Sequence, residues 1–298
     1  MRVNPYYVSN LVSALDQTQV NQQQLTQQLS SGVRVNTLSD DPVAAGSNVL
    51  LLNQIQQDDS FSLSSSLVTG QLQVADTALG SVVSQLTQAI SLATSGNNGT
   101  LNASQLQAIS NQLAGIRDEV QSLANTSYQG QYLFAGSQTS SEPFSTSSST
   151  SPATTTYNGD SGVNNLQTPN GQTIQLNVPG DQIFTANGSN VFAALNNLIA
   201  DFASGSTSTA SVADLNALNS SLSFVSQQRV VIDNSITRLT AASNAVDSEK
   251  LQLTADQTNL MQADLANVAT KLSLAKTQQT ALESVIAQLG SGSLFDKL

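Results

Sequence analysis

Along both ends of the chain, apolar residues return at alternating steps of three and four. Near the start these positions are Val8, Leu11, Leu15, Thr18, Gln22, Leu25 and Leu29. Near the end they are Leu251, Thr254, Thr258, Met261, Leu265, Val268, Leu272, Ala275, Gln279, Leu282, Ile286 and Leu289. This heptad spacing lines one face of a helix, and such a stripe needs a partner to bury it. Each terminal segment is the other's most economical partner. Thr18, Gln22, Thr254, Thr258 and Gln279 interrupt the stripes with polar groups, so the predicted seam is weak. A weak terminal coiled coil points to a part that firms up in an assembly.

The pattern predicts further elements between the ends. Asn4 as cap and Pro5 at the first helical position open a helix that runs to about Ser31 and stops at Gly32. Val33 to Ser39 reads as an extended link. Asp41-Pro42 repeats the cap-plus-proline signal and opens a long helix, with Leu72, Ala75, Leu79, Val82, Leu86, Ala89 and Ala93 on one face. Ser95 to Gly99 is a turn. A third helix carries Leu106, Ile109, Leu113, Ile116, Val120 and Leu123. After Gln129-Gly130 the character changes: Tyr132 to Phe134 reads as a strand, and Thr173 to Val178 alternates with the period of a half-buried one. Helical pattern resumes at Val191 to Ile199. After a loop around Gly205, a last long helix carries Leu215, Leu218, Leu222, Val225, Arg229, Ile232, Ile236 and Leu239. Its register reaches Val246 and slips across Asp247–Lys250, which predicts a joint between helical domains.

The predicted fold is mainly α, with long heptad-patterned helices from both termini forming a coiled coil and bundle around a small, mostly β insert. Residues 1–40 and 249–298 form the two halves of a terminal-helix domain. Residues 41–136 and 189–248 form the halves of a helical bundle, and 137–188 the insert.

Composition narrows the function. Charged residues are 10% of the chain, against about a quarter in ordinary globular proteins. A surface of Ser, Thr, Asn and Gln repels its own copies little and suits dense self-packing. Aromatics are 4% with no Trp, which argues against a conventional aromatic-rich core. The net charge of -11 and the absence of any Lys/Arg cluster disfavour nucleic acid and a basic membrane-surface helix. The densest apolar run, Val49–Leu52, is far shorter than a membrane span, and Met1 to Leu15 lacks the pattern of a secretory signal. With no cysteine there is no disulfide framework.

Candidate chemistry is thin. Gly159-Asp160-Ser161-Gly162 resembles a serine-protease nucleophile motif, but the chain has no histidine, and no lysine lies in the insert to serve as base. It reads as a polar turn. Without His or Cys the usual zinc, copper and haem ligand sets cannot form. Asp40-Asp41 and Asp58-Asp59 are the obvious carboxylate pairs; Asp41 has a capping role, and Asp58-Asp59 reads as a solvated helix face. No catalytic, cofactor-binding or metal-binding residues are expected, and no cofactor.

Three stretches together resemble the bacterial flagellin superfamily. The first is Leu29-Ser-Ser-Gly32 with Arg34, Asn36 and Asp40-Asp41-Pro42-Val-Ala-Ala45, in which Ser31, Gly32, Arg34, Asp40, Asp41 and Pro42 carry the match. The second is Tyr132-Leu-Phe-Ala-Gly-Ser-Gln138, matched at Tyr132, Phe134 and Gly136, with Pro143-Phe144 and Tyr157-Asn-Gly-Asp160 beyond. The third is Asp264 to Ser273 with the ending Ser293 to Leu298. Pro42 and the Tyr132 stretch are closer to the superfamily's hook-associated members than to filament flagellin.

The resemblance implies a layered, non-enzymatic subunit of the bacterial flagellum, exported without a cleaved signal and working outside the cell at the hook–filament junction. It implies an inner tube of paired terminal helices, a middle bundle and an outer insert. The implied partners are further copies of the chain in a ring or tube, the first hook-associated protein, flagellin and a cytoplasmic export chaperone, with no nucleic acid and no membrane insertion. Leu11, Leu15, Leu25, Leu29, Leu265, Val268, Leu272, Leu282 and Ile286 are the expected assembly contacts. Filament flagellin itself, or a secreted coiled-coil adhesin or effector, are the alternatives.

Overall fold

The computed structural model describes residues 5–147, 152–205 and 209–291. The expected cap at Asn4 and the Ser293–Leu298 motif lie outside the described residues. Helix α1 spans Pro5–Ser31, α2 Pro42–Gly96 and α3 Ala103–Ala124. Six short strands follow: β1 Ser127–Tyr128, β2 Gln131–Tyr132, β3 Phe144–Ser147, β4 Thr154–Tyr157, β5 Asn165–Gln167 and β6 Thr173–Gln175. Then come α4 Gly180–Phe184, α5 Val191–Ala203, α6 Thr209–Met261 and α7 Leu265–Ser291. The fold is mainly α with a small mid-chain insert of strand pairs. Among the described residues, no helix is long and apolar enough to cross a membrane.

The chain divides into two compact units, one of residues 1–57 with 249–298 and the other of 58–248. Helix α6 runs without a break through the register slip at Asp247–Lys250, and the units part between Ser248 and Glu249.

In the 58–248 unit, α2, α3, α5 and α6 bury the stripes read from the sequence. Leu79, Val82, Leu86, Leu113, Val120, Leu218, Val225 and Leu239 are fully enclosed in one core. Helices α2 and α6 are tied antiparallel by Asp76 with Arg229, which donates from Nε at 2.5 Å and from an Nη at 3.0 Å, and by Asn97 with Ser211. Asn102 and Gln105 form a reciprocal capping box that opens α3.

The three hairpins β1–β2, β3–β4 and β5–β6 are separate antiparallel pairs. Tyr132–Phe134 does not extend as a strand: β2 ends at Tyr132, and Leu133 and Phe134 turn inward and are buried. The strand expected at Thr173–Val178 ends at Gln175, because the Asn177 side chain replaces the ladder. Its amide donates to the Gly162 carbonyl at 3.0 Å and accepts from the Asn164 N–H at 2.7 Å.

Two expectations are corrected here. Against the expectation of no aromatic-rich core, Phe134, Phe144, Tyr157, Phe184 and Phe192 gather in one cluster, with neighbouring ring centroids 5.0–6.1 Å apart. Asp58 is not solvated but fully buried, while Asp59 is exposed. The inward stripe of α2 passes through Asp58, Phe61, Ser65 and Leu72, and Asp59 falls one step off it.

In the terminal unit, α1 packs against α7. Few of its large side chains are enclosed: Val35 and Val268 are buried, with the small Ala44, Ala263 and Ala275.

Candidate assembly surface

The α1–α7 seam is built mostly from half-buried residues. On α1 the inward positions are Leu11, Leu15, Thr18, Gln22, Leu25 and Gln28. On α7 they are Val268, Leu272, Ala275, Gln279, Leu282 and Ile286. A Gln22 side-chain N–H donates to the Ala275 carbonyl at 3.0 Å, so the seam is stitched by a polar bond where a heptad core would place an aliphatic pair.

On these paired helices, Leu11, Leu15, Leu25, Leu272, Leu282 and Ile286 are half-buried and Val268 is buried. Leu29 and Leu265 are exposed, at 38% and 48%. The stripe on α1 closes with Gln28, three residues after Leu25, and Leu29 turns outward. Leu251, Thr254 and Thr258 also face out, the inward positions there being Leu253, Gln257 and Leu260.

The same unit carries a second apolar surface that periodicity alone did not single out. Val12 and Val20 on α1, Leu274 and Val285 on α7, and Leu38, Val43, Val49 and Leu50 around the start of α2 are all exposed. Scattered apolar residues are normal on any surface, but here the exposed set outweighs the buried one in its own unit.

The motif around Ser31 to Pro42 organises the turn from α1 to α2. Gly32 takes φ +70°, a left-handed conformation that ends α1 at no steric cost. The Ser31 hydroxyl accepts the Val33 N–H at 3.1 Å. The Asp40 carboxylate accepts the Thr37 and Asn36 N–H groups at 2.9 and 3.0 Å and a Gln24 amide at 2.8 Å. These bonds, the Thr37 amide first, hold its pKa below the ordinary 3.8. Asp41 caps α2 through the Ala44 N–H at 3.0 Å and pairs with Arg34 at 2.9 Å, and the amide and then the guanidinium lower its pKa too. Pro42 takes the first helical position of α2.

Arg34 also reaches the other half of the chain. Its guanidinium donates to the Leu260 carbonyl at 3.1 Å and its backbone N–H to the Met261 carbonyl at 2.6 Å. The Ala263 N–H donates to the Gly32 carbonyl at 2.9 Å, and Val33 bridges Gln262. The break between α6 and α7 was missed in the sequence. Its one local signal is Asp264, whose carboxylate accepts the Asn267 N–H as a cap for α7.

The second motif is structural. Tyr132 donates its N–H to the Thr139 carbonyl at 2.8 Å, and Phe134 is buried against Phe184. Gly136, at φ +71°, lies where a Cβ would strike Asp160. The Asp160 carboxylate accepts the Ser137 N–H at 2.7 Å and the Gly162 N–H at 2.9 Å, so Gly159 to Gly162 is a turn locked onto this motif. The Ser161 hydroxyl donates to the Asp181 carboxylate. Among the described residues, no group of three or more metal-ligating side chains converges.

Comparison with known proteins matches residues 4–139 to the bacterial flagellin N-terminal helical region. Flagellar hook-associated protein 3 of Salmonella typhimurium is 31% identical over 185 residues, a match covering 62% of this chain and 56% of that protein. The chain thus spans little more than half of that relative. Flagellin of Bacillus subtilis is 24% identical over 97% of this chain and 96% of its own length. The flagellar junction protein of Legionella pneumophila shares the fold with TM-score 0.59 at 13% identity, over 73% of this chain and 100% of that one.

Proposed function

We propose that the chain is a flagellin-superfamily structural subunit that self-assembles at the hook–filament junction of the bacterial flagellum. In this role it sits outside the cell and links the hook-associated ring to the flagellin filament. Its partners are further copies of itself, the first hook-associated protein and flagellin, with an export chaperone before export. It works by binding and catalyses no reaction. In this reading residues 1–40 and 249–298 form the terminal-helix domain, 41–136 and 189–248 the helical bundle, and 137–188 the β insert.

One observation carries this reading. The terminal unit pairs its helices along a polar-interrupted seam and leaves Val12, Val20, Leu274 and Val285 uncovered, so much of its apolar area awaits neighbours. Leu11, Leu15, Leu25, Val268, Leu272, Leu282 and Ile286 hold the pair, and Leu29 and Leu265 offer outward contacts. Alignment with flagellin over nearly the whole chain keeps a filament subunit as the second reading.

Gene deletion tests the role. The expected outcome is hooks without filaments and flagellin shed into the medium, restored by the intact chain and not by Leu272→Asp. That variant should keep the melting transition of the 58–248 unit. Filaments attached normally in the deletion strain would refute the junction role, and labelled chain along the whole filament would favour the second reading.

A further inference from the structure

Beyond Asp264, which caps α7, little in the residues where α6 ends would stop a helix. Met261-Gln-Ala-Asp-Leu265 holds neither glycine nor proline, and Met, Gln, Ala and Leu are good helix formers. The apolar stripe crosses this stretch without a slip, from Met261 to Leu265 to Val268. Yet α6 ends at Met261 and α7 begins at Leu265.

The cause lies in the Gly32–Arg34 segment. For the helix to continue, the Ala263 N–H must reach the Asn259 carbonyl, the Asp264 N–H that of Leu260, and the Leu265 N–H that of Met261. One group of each pair is taken. Ala263 donates to the Gly32 carbonyl, the Arg34 guanidinium holds the Leu260 carbonyl, and the Arg34 N–H holds the Met261 carbonyl, at 2.9, 3.1 and 2.6 Å. Asp41 orients the guanidinium from 2.9 Å.

We propose that this segment is a clamp on a two-state element. Engaged, it keeps α6 and α7 apart. Released, it lets them join into one helix with an unbroken stripe from Leu251 to Ile286. The clamped form leaves Leu251 and Leu265 exposed, at 74% and 48%, although both lie on that stripe. The joined form returns them to line with Val268 and Leu272.

Amide hydrogen exchange by NMR on the full chain tests the clamp. Leu265 and Ala266, the first two residues of α7, have no carbonyl one turn back within that helix. In the joined helix they bond to Met261 and Gln262. Arg34→Ala keeps the backbone N–H and frees the Leu260 carbonyl for the Asp264 N–H; with that first joining bond made, exchange should slow at both amides by about tenfold or more, whereas simple loosening would speed it. Leu265→Pro is the control, since proline fits the first position of a helix and not its interior. Adding it to Arg34→Ala should return the Ala266 amide to the parent rate. Unchanged or faster exchange at Leu265 and Ala266 overturns the proposal, as does protection at Ala266 that survives Leu265→Pro. Should Arg34→Ala fail to fold, Asp41→Asn, which removes the orienting charge, decides by the same criterion.

Discussion

The two compact units are made of the same material, long helices rich in Ser, Thr, Asn and Gln, but they bury it to different depths. The 58–248 unit stacks four helices and closes its hairpin end over a knot of five aromatic rings, with many side chains wholly enclosed. The terminal unit has one helix pair and a clamped turn, and most of its seam residues stay half-solvated. Two helices cannot enclose a stripe on all sides, and helices with thin seams are marginal on their own. Helical pattern alone therefore does not tell a finished core from an unfinished one. What distinguishes them is the number of faces that converge and the polar residues in the seam.

The contrast can be broken at its strongest point. Phe144 touches Tyr157, Phe184 and Phe192, and is fully buried. Phe144→Ala should cost about 4 kcal/mol by transfer and cavity terms, read as a lower midpoint for the 58–248 transition in denaturant. No comparable loss should follow truncation of any single residue in the α1–α7 seam.

A smaller effect falls on Tyr157, whose hydroxyl donates to the Phe134 and Asp160 carbonyls at 3.0 and 2.8 Å. Burial, and then the charge of Asp181, push its pKa from 10.0 up to about 12. A raised folded-state value means the contribution is full below pH 10 and is lost as pH climbs through about 12. Tyr157→Phe should cost about 1 kcal/mol at neutral pH. Urea titrations should show that difference shrinking between pH 10 and 12.

The smallest change should sharpen the contrast from the weak side. Gln279 is half-buried in the seam, and its amide donates to Glu283 of its own helix. Gln279→Leu should add about 1 kcal/mol of burial to the pair and slow proteolysis of α7, leaving the 58–248 unit unchanged.

Much of this was legible in the sequence. The stripes from Leu72 to Ala93 and from Leu106 to Val120 became core because four helices share them. Asp41, Pro42 and Gly32 marked boundaries through local backbone chemistry that needs no tertiary information. What escaped depended on distant partners. The end of α6 carries no breaker of its own and is stopped by groups more than two hundred residues away. Asp58 lies inside because the stripe passes through it, against the habit of its side chain. The aromatic cluster draws rings from the hairpins, α4 and α5, which no period connects. Of the expected assembly residues, Leu11, Leu15, Leu25, Val268, Leu272, Leu282 and Ile286 are half-buried or buried, while Leu29 and Leu265, on the same spacing, are exposed.

The central claim is that the terminal unit is completed by neighbours and the 58–248 unit is not. Limited proteolysis of the free chain beside assembled junctions, with fragments identified by mass, tests this most directly. Cleavage of the free chain should fall first within α1 and α7, leaving a long-lived fragment of the 58–248 unit, and the same bonds should resist in the assembly. If α1 and α7 of the free chain last as long as that unit, the claim is wrong.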